Sequence, residues 1–411
     1  MDNSYKKNHF LNYLIVYFLI AFSGIPFFDL NKVAKLFFLI FLLLVYSFSR
    51  KRFDSKLTLI VLFAIVIIII QSIFWGGNIY TVFTYLGLMI ITPYVAIKIV
   101  GPKFIYYFKN IIFFYAVIGI FFWFLSNISS SFYHFTFNLS EMILQYSPLN
   151  ISESFILYTY ETSQIFGLIR NPGPFHEPGA WAVFLTMGIV VEIIIKNRFI
   201  TPANIFFVTN IITTFSTAGY IALFTIIIFY IVTSNLQAPI KAILIITLFF
   251  LGLYTYNTLD FLGTKIDTQF EQQTNAELTK GTSGRFLGAR KALVVLARYP
   301  LWGRGLLEVS KASAFSDEGA GYGWITFISK IGLPVGVLFL LYFFRSIKNY
   351  CVVNYQSKLF PYFALFSLLI VLAGQKHINS VMFFAFVFSS VFFPIRKYFN
   401  QYKLKVPKIN V

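Results

Sequence analysis

Arg170-Asn-Pro-Gly-Pro-Phe-His-Glu-Pro-Gly-Ala-Trp-Ala182 runs without a break into Val183-Phe-Leu-Thr-Met-Gly-Ile-Val-Val-Glu-Ile-Ile-Ile195. An arginine, a histidine and a glutamate thus stand at the mouth of a long apolar segment. Pro172, Pro174 and Pro178 forbid a regular helix until Pro178, which suits a first helical turn. From there the apolar run over 178–195 is long enough to cross a bilayer. Charge at such an entrance is costly and points to a function.

Apolar windows of the same kind recur on both sides of this one. They lie near 10–28, 34–49, 57–75, 79–97, 109–125, 178–195, 202–215, 218–233, 239–256, 324–344, 359–374 and 378–394. With 58% hydrophobic and 12% charged residues and a mean hydropathy of +0.75, a soluble globule is excluded. The expected fold class is an all-α integral membrane protein of about twelve transmembrane helices. The pair 202–215 and 218–233 meets at the polar stretch Thr213-Thr-Phe-Ser-Thr-Ala-Gly-Tyr220. It reads either as two full spans joined by a tight turn or as a partly re-entrant pair. The first run lacks a small-residue cleavage site, so it is expected to stay as a helix. Cys351, the single cysteine, rules out an intramolecular disulfide and a thiolate metal site.

Charge sets the expected orientation. With both termini cytoplasmic, most of the 33 lysines and arginines fall in short inner loops, as the positive-inside rule requires. That share of the net charge of +18 is topological and attracts anionic lipid headgroups, which argues against nucleic acid as a partner. A second basic group, including Arg285, Arg290, Lys291, Arg298 and Arg304, shares one long outer loop, where an anionic ligand explains it better than lipid does. One polytopic domain, 1–411, therefore carries two outer elaborations, about 126–177 and 257–323. The second is the large loop between the spans near 239–256 and 324–344.

Both elaborations hold candidate chemistry. Glu177 precedes the first turn at 178, so it reads as a helix cap or as a catalytic, ligand-orienting carboxylate. His176 reads as a base near neutral pH or as an interfacial aromatic. Arg170, in a rigid proline-rich segment, either pairs with Glu177 or holds phosphate through bidentate hydrogen bonds. In the second elaboration Ser283 is placed to cap an amphipathic helix over 284–298, with Phe286, Ala289, Leu293 and Ala297 on one apolar face. Its basic residues are either solvated or converge on a diphosphate. Pro300-Leu-Trp-Gly-Arg-Gly305 ends it. Asp317 and Glu318 serve as a base or balance the cations, and Gln375-Lys376-His377 is expected to be a plain connector. The chain has no Walker loop, no H-E-x-x-H, no G-x-S-x-G and no clustered Cys/His ligands, so no metal and no cofactor are expected.

Three motifs in this order carry a resemblance: Arg170-x-x-Gly173-x-Phe-x-Glu177-Pro178-x-x-x-Ala182, then Ser216-Thr-Ala-Gly219 opening a span, then Ser283-Gly-Arg285 with Pro300-x-x-Gly303-x-Gly305. With about twelve spans and a large late outer loop, the chain resembles the superfamily of O-antigen polymerases (Wzy-type) and O-antigen ligases, bacterial polytopic membrane glycosyltransferases. The resemblance implies an enzyme of the cytoplasmic (inner) membrane, with its active site on the outer face. Its donor would be an undecaprenyl-diphosphate-linked oligosaccharide, and its other partners membrane lipids and a flippase and chain-length regulator of the same pathway.

As a polymerase, the chain would transfer a growing glycan from undecaprenyl diphosphate to the terminal sugar of another lipid-linked repeat unit. The anomeric carbon would be inverted, and no metal would be needed. Arg170, Arg285, Arg290 and Arg304 would bind the diphosphate and offset charge on the leaving group. Glu177 or His176 would orient or deprotonate the acceptor hydroxyl. Ligases carry a His-Asn-x-Tyr/Leu-type element where the large loop re-enters the membrane. Here that stretch reads Gly321-Tyr-Gly-Trp-Ile325, which favours a polymerase and leaves Glu318 to substitute for the missing histidine. The nearest alternative is the ligase reaction, transferring the glycan to a lipid A-core or other acceptor. A transporter or flippase for the lipid-linked glycan is the alternative of another class, and it would need cations lining a path between helices.

Overall fold

The computed structural model describes residues 9–29, 31–49, 55–74, 79–144, 154–160, 164–234, 236–258, 285–305, 323–354 and 356–392. The chain runs through α1 (His9–Ala21), α2 (Pro26–Asp29), α3 (Lys32–Phe48), α4 (Ser55–Phe74), α5 (Ile79–Tyr85), a π-helical stretch Leu86–Ile91, α6 (Thr92–Val100), α7 (Phe104–Ile128) and α8 (Ser130–Leu144). Two short antiparallel hairpins follow, β1–β2 (Ser154–Phe155 with Tyr158–Thr159) and β3–β4 (Gln164–Ile165 with Leu168–Ile169). After them come α9 (Pro178–Lys196), α10 (Pro202–Thr213), α11 (Thr217–Thr233), α12 (Ala238–Thr258), α13 (Arg285–Arg298), α14 (Trp324–Ile331), α15 (Leu333–Val353), α16 (Phe360–Leu372) and α17 (Val381–Phe388).

A helix stands at each expected span. Among the described residues four are long and apolar enough to cross a membrane: Val82–Val100, Phe104–Ile128, Pro178–Lys196 and Leu333–Val353. The span expected over 324–344 is corrected: Gly332, at φ 81°, separates α14 from α15, and Pro334 restarts the helix in the first turn of α15. The polar junction after α10 is a tight turn at Thr214–Ser216. Twelve residues of α10 rise roughly 18 Å beside a hydrocarbon core of about 30 Å, which puts it among the shorter apolar helices with α1 and α16. The expected helix 284–298 appears as α13, but its apolar face is rotated. Gly288 and Ala292 are buried, whereas Leu293 and Ala297 are exposed.

Helix α9 is the hub. It is buried from Pro178 to Ile194 and packs against α7, α10, α11 and α16. Small residues permit this closeness. A Cβ on Gly219 of α11 would stand 2.9 Å from the Ala182 Cβ, and one on Gly188 would stand 3.1 Å from the Phe207 ring. Near the other end of α9, Glu192 is 3% exposed and forms an ion pair with Lys109 of α7 at 3.5 Å. There too Gln356 Nε2 donates to the Ile193 carbonyl at 2.7 Å.

The end holding 22–31, 170–177, 214–216 and 373–380 is the loop-rich end. There α8 and β1–β2 enclose an aromatic cluster of Tyr133, Phe137, Tyr158 and Tyr160 with Phe122 and Trp123 of α7. Burial pushes the Tyr160 hydroxyl up to about 12.

Candidate functional site

The proline-rich segment is held by a buried network. Asn171 is fully buried, with its amide N–H donating to Thr213 O at 3.0 Å and its Nδ2 donating to Thr213 Oγ1 at 2.9 Å and Asn210 Oδ1 at 3.1 Å. Asn171 Oδ1 accepts from the Gly173 amide at 3.0 Å, and Trp181 Nε1 donates to Asn210 Oδ1 at 3.3 Å. Each buried polar group thereby finds a partner, as a low-dielectric interior demands.

Arg170 is fixed on the same turn. Its Nε donates to Thr214 O at 3.1 Å and its Nη2 to Phe215 O at 3.3 Å. These carbonyls follow α10, where a helix leaves orphan acceptors and the negative end of its dipole. Two of the three sequence motifs, the Arg170 segment and the Ser216 segment, are therefore packed together. Ser216 caps α11 by accepting from the Gly219 amide at 3.4 Å.

Glu177 occupies the cap position of α9 with extended backbone, but its side chain makes no capping bond. Its carbonyl does that work, accepting from the Ala180 amide at 3.1 Å and the Trp181 amide at 3.2 Å. The carboxylate is half-buried and has no ion pair among the described residues. Neither the side-chain cap nor the pairing with Arg170 is formed.

His176 turns toward the α1–α2 connection, its Nδ1 lying 3.3 Å from Gly24 O. Its ring stacks on His377, with centroids 5.4 Å apart and planes 23° apart. The plain connector expected at Gln375–His377 is corrected by this contact. Gln375 is 1% exposed and His377 2%. Gln375 lies against Gly179 in the first turn of α9, and His377 meets the edges of Phe175 and Phe184. Sequence reasoning missed His377. The available signal was a polar triplet closing a very short gap between two strongly apolar runs.

Beside His377 opens a cavity of about 330 Å³ whose polar lining comes from Ser23, Asp29, Thr326, Lys330, His377, Asn379 and Ser380. Asp29 is paired with Lys35 at 2.7 Å. Ser23 Oγ donates to Leu19 O at 2.7 Å and accepts from the Met382 amide at 2.9 Å. Asn379 Oδ1 accepts from the Tyr85 hydroxyl at 2.6 Å. Gly323, preceding α14, closes one side against the Ala373 carbonyl, where any side chain would collide.

The third motif reaches this cavity through its backbone. The Arg304 amide donates to Ser329 O at 2.9 Å, the Gly305 amide to Lys330 O at 2.9 Å, and the Leu333 amide to Pro300 O at 2.8 Å. Gly303, at φ 64°, lies so close that a Cβ would stand 2.5 Å from Lys330 O. Gln71 of α4 donates through Nε2 to Trp302 O and, at 3.1 Å, to Ile331 O.

The expected cations are not gathered at the cavity. Arg170 is on the α10–α11 turn, Arg285 opens α13, Arg290 is exposed on α13 and Arg304 is half-buried. Arg170, Arg290 and Arg304 do not line the cavity, and Lys330 does. Glu318, Asp317 and Ser283 lie outside the described residues.

No family model matches this chain. No curated protein and no solved structure is significantly similar to it. Its function is therefore argued from the site alone: a pocket at one end of an apolar bundle, holding an amine, imidazole, hydroxyl and amide groups, with a half-buried carboxylate one residue from a stacked histidine pair.

Proposed function

We propose that the chain is a membrane glycosyltransferase using a polyprenyl-diphosphate-linked glycan, and specifically a polysaccharide repeat-unit polymerase. Twelve segments cross the bacterial cytoplasmic membrane, both termini are cytoplasmic, and the loop-rich end faces outward. The observation that carries this reading is convergence. His176 of the Arg170–Glu177 segment stacks on His377, which lines the cavity together with Asn379 and Ser380, and the Pro300–Gly305 turn is bonded through its backbone to Lys330, which lines the cavity too.

In this reading Arg285, Arg290 and Arg304 offset the charge that grows on the departing diphosphate. Arg170 contributes its charge while holding the α10–α11 turn. The acceptor hydroxyl attacks the anomeric carbon, the bond to diphosphate breaks with inversion, and Glu177 or His176 accepts the hydroxyl proton. The flippase and chain-length regulator of the same pathway would supply substrate and set product length.

One observation favours the ligase reaction as a second reading. His377 and Gly323 line the same cavity, so an imidazole reaches the place where the large loop returns to the bundle. The residue that the 321–325 stretch lacks is supplied in space from another connection.

Deleting the gene and resolving glycans on gels separates these outcomes. Capped single repeats mark a lost polymerase, unattached long chains a lost ligase, and inward-facing lipid-linked units a lost flippase. Complementation by Glu177→Gln or Arg285→Ala, at membrane levels equal to the unsubstituted chain, is expected to leave elongation at least about a hundredfold down. Normal long glycans from both variants would overturn the assignment.

A further inference from the structure

We propose that the cavity beside His377 is a subsite for one sugar ring bearing a single carboxylate. This rests on the glycosyltransferase reading only in naming that ring as part of the acceptor.

Size sets the first limit. At about 330 Å³ the cavity sits at the lower end of small-molecule sites, with room for one pyranose ring and its substituents but not for a chain. Its walls include Phe22 and Phe327, apolar surface of the kind that packs on the C–H groups of a sugar.

Unused hydrogen-bonding capacity sets the second. Ser380 is 7% exposed, and its Oγ has no hydrogen-bond partner among the described residues. Such a buried hydroxyl carries a desolvation cost that a ligand hydroxyl removes. Asn379 spends its carbonyl oxygen on Tyr85, and its Nδ2 donates to nothing among the described residues. A hydroxyl and an amide donor, side by side in sequence and both lining the cavity, match adjacent sugar hydroxyls.

Charge sets the third. Asp29 is neutralised by Lys35 at 2.7 Å, whereas Lys330 has no ion-pair partner among the described residues. Its helix end is held in place because Gly305 donates to the Lys330 carbonyl at 2.9 Å. Among the described residues the lining therefore carries one unmatched positive charge. A neutral sugar would leave that charge uncompensated, and a diphosphate would bring excess negative charge close to Asp29. One carboxylate balances it.

The test uses full-length protein in lipid nanodiscs, titrated with methyl β-glucuronide, methyl β-glucoside and pyrophosphate. The glucuronide is expected to bind about tenfold more tightly than the glucoside, as one charge-assisted hydrogen bond provides. Lys330→Met should erase that preference while keeping the thermal unfolding profile, and Lys330→Arg should retain it. Ser380→Ala should weaken both sugars alike. Equal binding of the two sugars by the unsubstituted protein overturns the proposal. Tighter competition by pyrophosphate also overturns it and makes the cavity a leaving-group site. Glycan gels from the same strains read the enzyme assignment separately. Glucuronide preference without elongation keeps the subsite and removes the transferase, and elongation without preference does the reverse.

Discussion

Gly173 holds a φ of 56°, and a Cβ there would stand 2.7 Å from the Trp181 indole. Left-handed backbone and a clash with a fully buried ring penalise any side chain at once. Gly173→Ala is expected to cost about 2 kcal/mol or more, visible as a lower unfolding temperature in detergent. An unchanged transition would mean that the segment is not held against α9 as described. Much about this stretch is legible in the sequence, because prolines and glycines act locally: the irregular run to 177 and the helix start at Pro178 both follow from them. The fate of Arg170 is not. It binds carbonyls 44 and 45 residues away, and a backbone acceptor leaves no mark in sequence. Glu177 shows the same limit, since its cap position can be read but the direction of its side chain is decided by tertiary packing.

At the scale of elements, the Pro300–Gly305 turn is joined to the α14–α15 junction by backbone bonds, with Gln71 of α4 donating to both. Gln71→Leu would leave the Trp302 and Ile331 carbonyls without that donor inside the bundle. The expected loss is about 1–3 kcal/mol, with faster amide exchange confined to 300–305 and 329–333. Exchange unchanged in both segments would show that the glutamine is not what holds them. Hydropathy placed the adjoining span too early because a window average runs straight across Gly332-Leu-Pro334. The glycine-then-proline order was the readable cue. The rotated face of α13 had no such cue. Leu293 and Val294 are both about half exposed, so what this helix turns inward is its smallest side chains, including Gly288 and Ala292, and their signal in a hydrophobic pattern is weak.

At the scale of the molecule, an alternating bundle requires that loops on one end face one side of a membrane. Phe166, at the tip of the β3–β4 hairpin, and Arg290 of α13 are exposed, and so is Ser357 on the connection between α15 and α16. An impermeant maleimide on intact cells is expected to modify Phe166→Cys and Arg290→Cys and to spare Ser357→Cys. The opposite pattern would invert the proposed orientation. Cys351, at 1% exposure, should give little background. The places of the apolar helices were legible because apolar length is a local property. The role of α9 as hub was not, because a helix that is apolar all round looks alike whether lipid or protein surrounds it. The site was only half legible for a related reason: His377 arrives from a short connection and Lys330 from α14, and neither carries a motif.

The ion pair between Lys109 and Glu192 also constrains how the protein is built. A ribosome delivers α7 well before α9, so the lysine emerges with no carboxylate to meet it. It sits within two turns of the start of α7, close enough to an aqueous boundary for its amine to wait there. Glu192 also lies near its helix end, four residues before Lys196, but its shorter side chain is 3% exposed and reaches less far toward water. The order of synthesis therefore suits the chemistry: the charge that reaches water more easily is made first, and the other enters lipid only once its counter-ion is in place. Reversing the pair, Lys109→Glu with Glu192→Lys, would keep the attraction and lose the sequence of events, separating biogenesis from stability.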